Sequence, residues 1–551
     1  MPLDALFVNG RFRTGDQRRP IAHTMGVFDG VIVGLDDAVS GLRAERVIDL
    51  GGAPAVPGFH DAHHHLSGHG RALLQCDVTP RAVRSLDVLY ATLAAYAATL
   101  PADAWVLASA YAEKDLGGAP RLEALDAVCG DRPLFMAHSS GHAGMVNSAA
   151  IHRIGRGHPR GLPDVDGGLV ERRADGTPTG FLAEHAVNLA TDAIGPLTSA
   201  DLVRALARAS EAAGAAGLTS VTEPGISGRL AGNGPADLAA YQTARDRGLL
   251  GVRVTVMPEL AALHELAGGE TAGEADLPGF GLDLGMRTGL GDDWLRLGGV
   301  KIFSDGALST RTAALTHPYH DRPGTLGVMR EDVARMTEQI VAAHLAGWQV
   351  ATHAIGDAAV AAVLDAYAQA DRAMHRPDAR HRIEHCGLAD DNTIERIGEL
   401  GVIPVPQGRF IAEFGNAYLD AVGPERGRML YRQRAFLRAG IELPGSSDCP
   451  VVDGAPLLGI HALVNRTLPD GSVLNPGECL TVEQALRAFT FGSAYADRQE
   501  HRKGTLARGK LADFVVLSDD LLEVPADRLD RVGVQATVVG GDLRFGALAE
   551  L

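Results

Sequence analysis

Between residues 55 and 450, short apolar runs of strand length alternate with Ala/Leu-rich stretches of helical period. That alternation restricts the fold more than any other feature of the chain. Eight such runs stand out: 55–62 (AVPGFHDA), 218–225 (LTSVTEPG), 251–259 (GVRVTVMPE), 295–306 (LRLGGVKIFSDG), 348–357 (WQVATHAIGD), 381–387 (HRIEHCG), 402–408 (VIPVPQG) and 442–450 (ELPGSSDCP). Intervening stretches such as 332–347 and 357–374 keep apolar residues at i, i+3 and i+4. Buried strands joined by crossover helices pair in parallel, and eight of them have the arithmetic of a (β/α)8 barrel. The expected fold class is therefore α/β.

One interval is too long for a crossover. Residues 70–195 hold helical and strand-like stretches of their own, among them AWVLASAY with Trp105 and Tyr111, and read as an inserted subdomain. Directly after the first barrel strand, it is placed to act as a lid and to govern substrate choice. The two ends share a different texture. ALFVNGRF sets two apolar runs around Asn9-Gly10, a hairpin dipeptide; GVFDGVIVG repeats the pattern, and VQATVVGGDLRF turns at Gly540-Gly541. Neither end can bury a sheet face alone. The expectation is one small β-sandwich from 1–57 and 495–551, a barrel from 58–69 and 196–494, and the 70–195 insertion.

With 51 Lys+Arg against 68 Asp+Glu, the net charge is −17. Nucleic acid and anionic membrane both require basic stripes, so neither is expected as a partner. A small-molecule substrate is, and a homodimer stays open. Five scattered cysteines without a CxxC pair suit a reducing cytoplasm. No basic-then-apolar leader opens the sequence, and its longest uncharged stretch, 339–356, contains His344, Gln349 and His353, too polar for a lipid-facing helix.

Histidines gather where the runs end. His60, His63, His64 and His65 follow the first run, His353 the fifth and His385 the sixth; Lys301 lies in the fourth and Asp448 ends the eighth. In a barrel those ends share one rim, where active sites sit. His63 and His65, two apart on an extended chain, project to one side while His64 points elsewhere. Neutral imidazoles are common ligands of zinc-like ions. Taken singly, His353 and His385 also suit hydrogen-bonded core positions, and Asp448 suits a helix cap. Lys301 is harder to place, because an ammonium inside an apolar strand needs a partner or a changed charge.

These segments resemble the amidohydrolase superfamily, specifically the amidohydrolase-3 group of YtcJ-like metal-dependent hydrolases. PGFHDAHHHL is similar to the group's Pro-Gly-Phe-x-Asp-x-His-x-His-Leu. VKIFSDGALSTRTAAL, THAIGDAAV, HRIEHC, VPQG, SSDCPV and GTLARGKLADFVVL resemble its later segments in order; GHAGMVNSAAI and DGTPTGFLAE resemble its insertion. Within the group the chain looks most similar to N-substituted formamide deformylases. The resemblance implies metal ligands at His63, His65, Lys301, His353, His385 and Asp448, with the lysine carboxylated as a carbamate in many members. It also implies a cofactor of one or two divalent ions, zinc first. Ser140-Gly141-His142 stands where the group often has Asp-Gly-His, and His142 is a candidate substrate contact.

The implied activity is hydrolysis of a small N-substituted amide by metal-activated water, with Asp448 as general base and then general acid. Arg311, Glu384 and Gln407 are candidates to orient ligands or substrate, and ordinary ion pairs or hydrogen bonds account for them equally well. Alternatives keep the site and change the substrate to a lactone, a cyclic amide or an amino-heterocycle. A catalytically idle regulatory barrel is a further alternative, opposed by the intact ligand set.

Overall fold

The computed structural model describes residues 2–551 apart from 81, 139–142, 159–160, 167, 196, 229–231 and 267–278. It divides into two compact units, Met1–Gly68 with Ala209–Leu551, and His69–Arg208. The second unit thus extends beyond the expected 70–195 into the helix Ser199–Ala215.

The first unit contains two four-stranded sheets, parallel throughout. One runs Leu295–Leu297, Arg253–Pro258, Leu218–Ile226, Phe59–Asp61; the other runs Val300–Phe303, Val350–Ala354, Arg382–His385, Ile403–Val405. Every residue of Leu218–Ile226 and of Arg382–His385 is buried, as expected of parallel strands covered on both faces. Helices Val333–Leu345 and Asp357–Ala373 connect the second sheet's strands, the first capped by the Asp332 carboxylate on Arg335 N.

Two departures from the expected strands have local causes. The run 295–306 splits at Gly298-Gly299, and its halves belong to different sheets. The split needs glycine: a Cβ on Gly298 would lie 2.7 Å from Thr255 Cγ2, and one on Gly299 2.9 Å from Gln349 O. The run 442–450 forms no regular strand, since Pro444 and Pro450 have no N–H to offer a ladder. It still follows the end of the first strand, with Ala62 N donating to Gly445 O (2.9 Å), Asp448 N to His63 O (2.8 Å) and His65 N to Cys449 O (2.8 Å).

Both chain ends build two further sheets, ordered Ala549–Glu550, Ala44–Asp49, Leu3–Val8, Met25–Phe28, Val31–Leu35, and Asp542–Gly546, Val534–Val539, Phe514–Leu517, Pro54–Pro57, Arg11–Arg13, Ile21–Ala22. Phe7 and Met25 of one sheet share a buried core with Phe12, Phe514 and Val538 of the other. Phe514 meets Phe7 edge-on at 4.9 Å and Phe12 at 5.6 Å. Asn9-Gly10 is not a hairpin, because Leu3–Val8 and Arg11–Arg13 lie in different sheets and the turn carries the chain between them. Asp29-Gly30 and Gly540-Gly541 do join antiparallel neighbours, with positive φ at all four residues as a type I′ turn requires.

The His69–Arg208 unit holds a six-stranded mixed sheet, Gly168–Arg172, Pro178–Glu184, Ala143–Val146, Leu134–His138, Val106–Tyr111, Cys76–Asp77. Its core contains Leu89, Leu93, Leu125, Leu134, Met136 and Tyr111, so Tyr111 is a core residue; Trp105 packs on the neighbouring cluster around Val146. No described helix is long and apolar enough to cross a membrane.

Candidate metal centre

The polar residues at the strand ends converge in the first unit. His63, His65 and Asp448 bring their ligand atoms within 4.8 Å of one another. The His63 ring lies 5.4 Å from that of His65 and 4.9 Å from that of His385, which lies 4.5 Å from His353. Residues separated by most of the chain thereby meet in one cluster.

Backbone conformation explains how. Strand alternation would aim Glu384 and His385 at opposite faces. His385 sits at φ 72° as the chain leaves the ladder, and both side chains turn toward the cluster. Asp448 has φ 64°. Left-handed conformations at non-glycine residues are uncommon and concentrate at functional sites.

Three of the four imidazoles have one nitrogen committed elsewhere. His63 donates Nδ1–H to the Glu384 carboxylate, which can only accept. His385 donates Nδ1–H to Gln407 Oε1 at 2.7 Å. His353 donates Nε2–H to Gly306 O at 3.0 Å, with Asp305 Oδ1 at 3.3 Å. These bonds set the tautomers and leave His63 Nε2, His385 Nε2 and His353 Nδ1 as lone pairs. Among the described residues His63 Nε2 has no hydrogen-bond partner, and Asp448 Oδ1 lies 3.4 Å from it. His65 Nε2 lies 3.1 Å from the same oxygen.

The charges follow from burial and neighbours. Burial, with Lys301 nearby, holds His63 neutral well below the usual histidine range, and burial beside His353 brings His385 down to about 3. For Asp448, burial alone would raise the carboxyl, but the His65 hydrogen bond leads the opposing pull and keeps it an anion. Lys301 is buried and, among the described residues, its Nζ finds no hydrogen-bond partner; the Phe303 ring centroid is 4.7 Å away. Burial lowers this amine to about 8 against the pull of Glu384 and Asp448.

Neutral imidazoles with free lone pairs around an anionic carboxylate are the donor set of a divalent transition ion. The unpartnered His63 Nε2 and Lys301 Nζ are the buried polar atoms such an ion, and a carbamate on the lysine, would satisfy. The residues present fit the group.

Two sequence candidates behave differently. Gln407 is buried with its carboxamide spent on His385, Val405 O (3.0 Å) and Ser446 Oγ (3.2 Å), which makes it a support for His385 and leaves it no free group for a substrate. Arg311 pairs with Asp321 and donates to Leu308 O and Ser309 O, and none of these contacts involves the histidine cluster. His142 lies outside the described residues. His60 and His64 point away from the cluster: His60 Nε2 meets Thr222 Oγ1 at 3.1 Å, and His64 Nδ1 meets Asp61 Oδ2 at 3.1 Å. Sequence reasoning missed Arg382, Asp305 and Asp497. Arg382 and Glu384, two charges alternating inside an apolar run, were the available signal.

Comparison with known proteins agrees with this chemistry. The amidohydrolase family model matches residues 46–545. The Bacillus subtilis (strain 168) protein YtcJ, which carries an amidohydrolase name, is 32% identical over 94% of this chain and 95% of its own length. The N-substituted formamide deformylase of Arthrobacter pascens is 28% identical over 98% of each chain. Among solved structures, an uncharacterized metal-dependent hydrolase from Pyrococcus horikoshii OT3 superposes with a TM-score of 0.76 at 25% identity, covering 95% of this chain and 99% of that one, a likeness that implies a TIM-barrel-type fold. The chain belongs to the amidohydrolase family, metal-dependent hydrolases acting on carbon–nitrogen bonds.

Proposed function

We propose that the protein hydrolyses the C–N bond of a small N-substituted amide, with N-substituted formamides as the first substrate class, at a zinc centre held by His63, His65, Lys301, His353, His385 and Asp448. The observation that carries this reading is the convergence of His63, His65 and Asp448 with His63 Nε2 unpartnered. Likeness to the Arthrobacter pascens deformylase supports the formamide choice. In the same reading the two parallel sheets and the 442–450 run close as one barrel, the terminal sheets form a β-sandwich, and the insertion sets substrate choice.

A divalent ion in this site supplies Lewis acidity to the amide carbonyl and lowers the pKa of water. The chain's own residues do the rest. Glu384 and Gln407 hold His63 and His385 in their tautomers. Asp448, an anion with Oδ1 facing His63 and His65, accepts a proton from the attacking water and returns it to the leaving nitrogen. One water is consumed, the C–N bond breaks, and a formamide yields formate and the amine. Lys301 adds to carbon dioxide through Nζ with loss of a proton, which exchanges a buried cation for an anion beside the ion.

The test is a substrate panel on zinc-loaded protein, with formate release from aryl-methyl formamides measured beside N-acyl amino acids and lactones. Formate and amine in equal amounts are expected. Turnover of lactones alone would overturn the amide reading.

A further inference from the structure

Below the ligands lies a buried ion network that the reaction does not use directly. Arg382 and Glu384, two apart on the strand Arg382–His385, project to the same side. Arg382 Nε donates to Glu384 Oε1 at 2.7 Å and Nη2 to Oε2 at 3.0 Å, a fork-to-fork pair. Nη2 also donates to Ala62 O at 2.6 Å, the carbonyl immediately before His63, and Nη1 to Asp497 Oδ1 at 3.2 Å. Asp497 is fixed in turn by Thr222 Oγ1 at 2.8 Å and His60 Nε2 at 3.3 Å. Arg382, Glu384, Ala62 and Asp497 are all buried.

Two of the Arg382 contacts end on the same ligand. Through Glu384 the guanidinium reaches the His63 ring, and through Ala62 it reaches the His63 backbone. We propose that Arg382 is a positioning residue for the metal centre, gripping His63 by side chain and main chain together, with Asp497 anchoring the guanidinium; this rests on the metal-site reading above. A network present only for folding has no need to place both contacts on one ligand. Buried ion pairs are in any case often neutral for stability against apolar replacements. Lysine cannot substitute, because a single ammonium cannot span both carboxylate oxygens and the Ala62 carbonyl in one plane.

The experiment measures Zn²⁺ affinity of the chelator-stripped full chain by competition with a chromophoric chelator, beside the thermal midpoint of the metal-free protein. His63→Ala serves as the reference. Arg382→Lys should weaken Zn²⁺ binding by about 10–100-fold, the usual cost of losing a ligand's outer support. Asp497→Asn, which touches Arg382 but not Glu384, should weaken it less and in the same direction. A merely structural role would lower the metal-free midpoint and leave affinity unmoved. If His63→Ala binds zinc as wild type does, the metal-site reading itself fails. If His63→Ala loses zinc while folded Arg382→Lys and Asp497→Asn stay within about twofold of wild type, only the positioning role is overturned. Failure of both variants to fold assigns the network to folding and overturns the proposal as well.

Discussion

Gln407 Oε1 and His385 Nδ1 lie 2.7 Å apart, and the other end of the same carboxamide donates to Val405 O and Ser446 Oγ. The amide therefore has one orientation and His385 one tautomer, with its proton on Nδ1 and Nε2 left as a lone pair. Gln407→Leu keeps the volume and removes the acceptor. Zinc affinity of the stripped protein should fall by about tenfold or more while the chain stays folded. If Gln407 touched substrate instead, KM would rise at full metal loading with affinity for zinc unchanged.

The legible part of the site was the His-x-His spacing: His63 and His65 do approach Asp448 together while His64 turns to Asp61. All three nevertheless lie past the strand Phe59–Asp61, with a bend at 62–63, so strand alternation is not what places them. Alternation fails at His385 and Asp448, where φ is positive, so neither residue's direction could be read from its neighbours. The supports were hidden for another reason. Glu384 and His63 are 321 positions apart, and a hydrogen bond at that separation leaves no local pattern. The same holds for the fold: Asn9-Gly10 has hairpin chemistry, but burying Phe7 and Phe12 in one core between two sheets sends the flanking strands apart.

Lys301 gives the second prediction. Its Nζ is buried among carboxylates and imidazoles, without a hydrogen-bond partner among the described residues. Lys301→Ala should lose most activity and part of the bound metal, and millimolar short-chain carboxylates should restore some of both by standing in for a carbamate. Elemental analysis and formate release with and without propionate check this. Full metal content and full activity in Lys301→Ala would remove the lysine from the ligand set.

Acid should destabilise the metal-stripped protein, in part through a histidine pair away from the centre. Val350 N donates to His381 Nδ1 at 3.0 Å, His381 Nε2 lies 2.8 Å from His344 Nδ1, and His344 Nε2 lies 2.7 Å from Met374 O. Val350 N–H makes His381 Nδ1 an acceptor, so His381 carries its proton on Nε2 and donates it to His344 Nδ1, which leaves both rings neutral with His344 Nε2–H on Met374 O. Burial, then His344, holds His381 well below its unfolded value, and burial lowers His344 as well. Below about pH 6.5 the unfolded chain takes up protons that the native state refuses, so stability falls as pH falls. The slope is at most about 1.4 kcal/mol per pH unit for His381. His63, His385 and His60 are depressed too and act in the same direction. His381→Asn should therefore be less stable at pH 7.5 but lose less on moving to pH 5.5. Equal losses in urea titrations of both proteins would show that His381 contributes nothing to the acid response.

Asp448 carries the sharpest expectation. Its Oδ1 faces His63 Nε2 at 3.4 Å and His65 Nε2 at 3.1 Å, and its backbone N donates to His63 O, so side chain and backbone both hold the residue against the two histidines. Asparagine keeps the size and one oxygen for the metal but cannot carry a proton between water and the leaving nitrogen. Asp448→Asn should cut kcat by roughly 10²–10⁴-fold, the range for losing an acid–base group. Metal content and KM should move far less. A residue serving only as a cap would behave otherwise, because asparagine caps a helix about as well as aspartate. Turnover near the wild-type level in zinc-loaded Asp448→Asn, measured as formate released per bound ion, would remove Asp448 as the proton carrier and leave it as a ligand only.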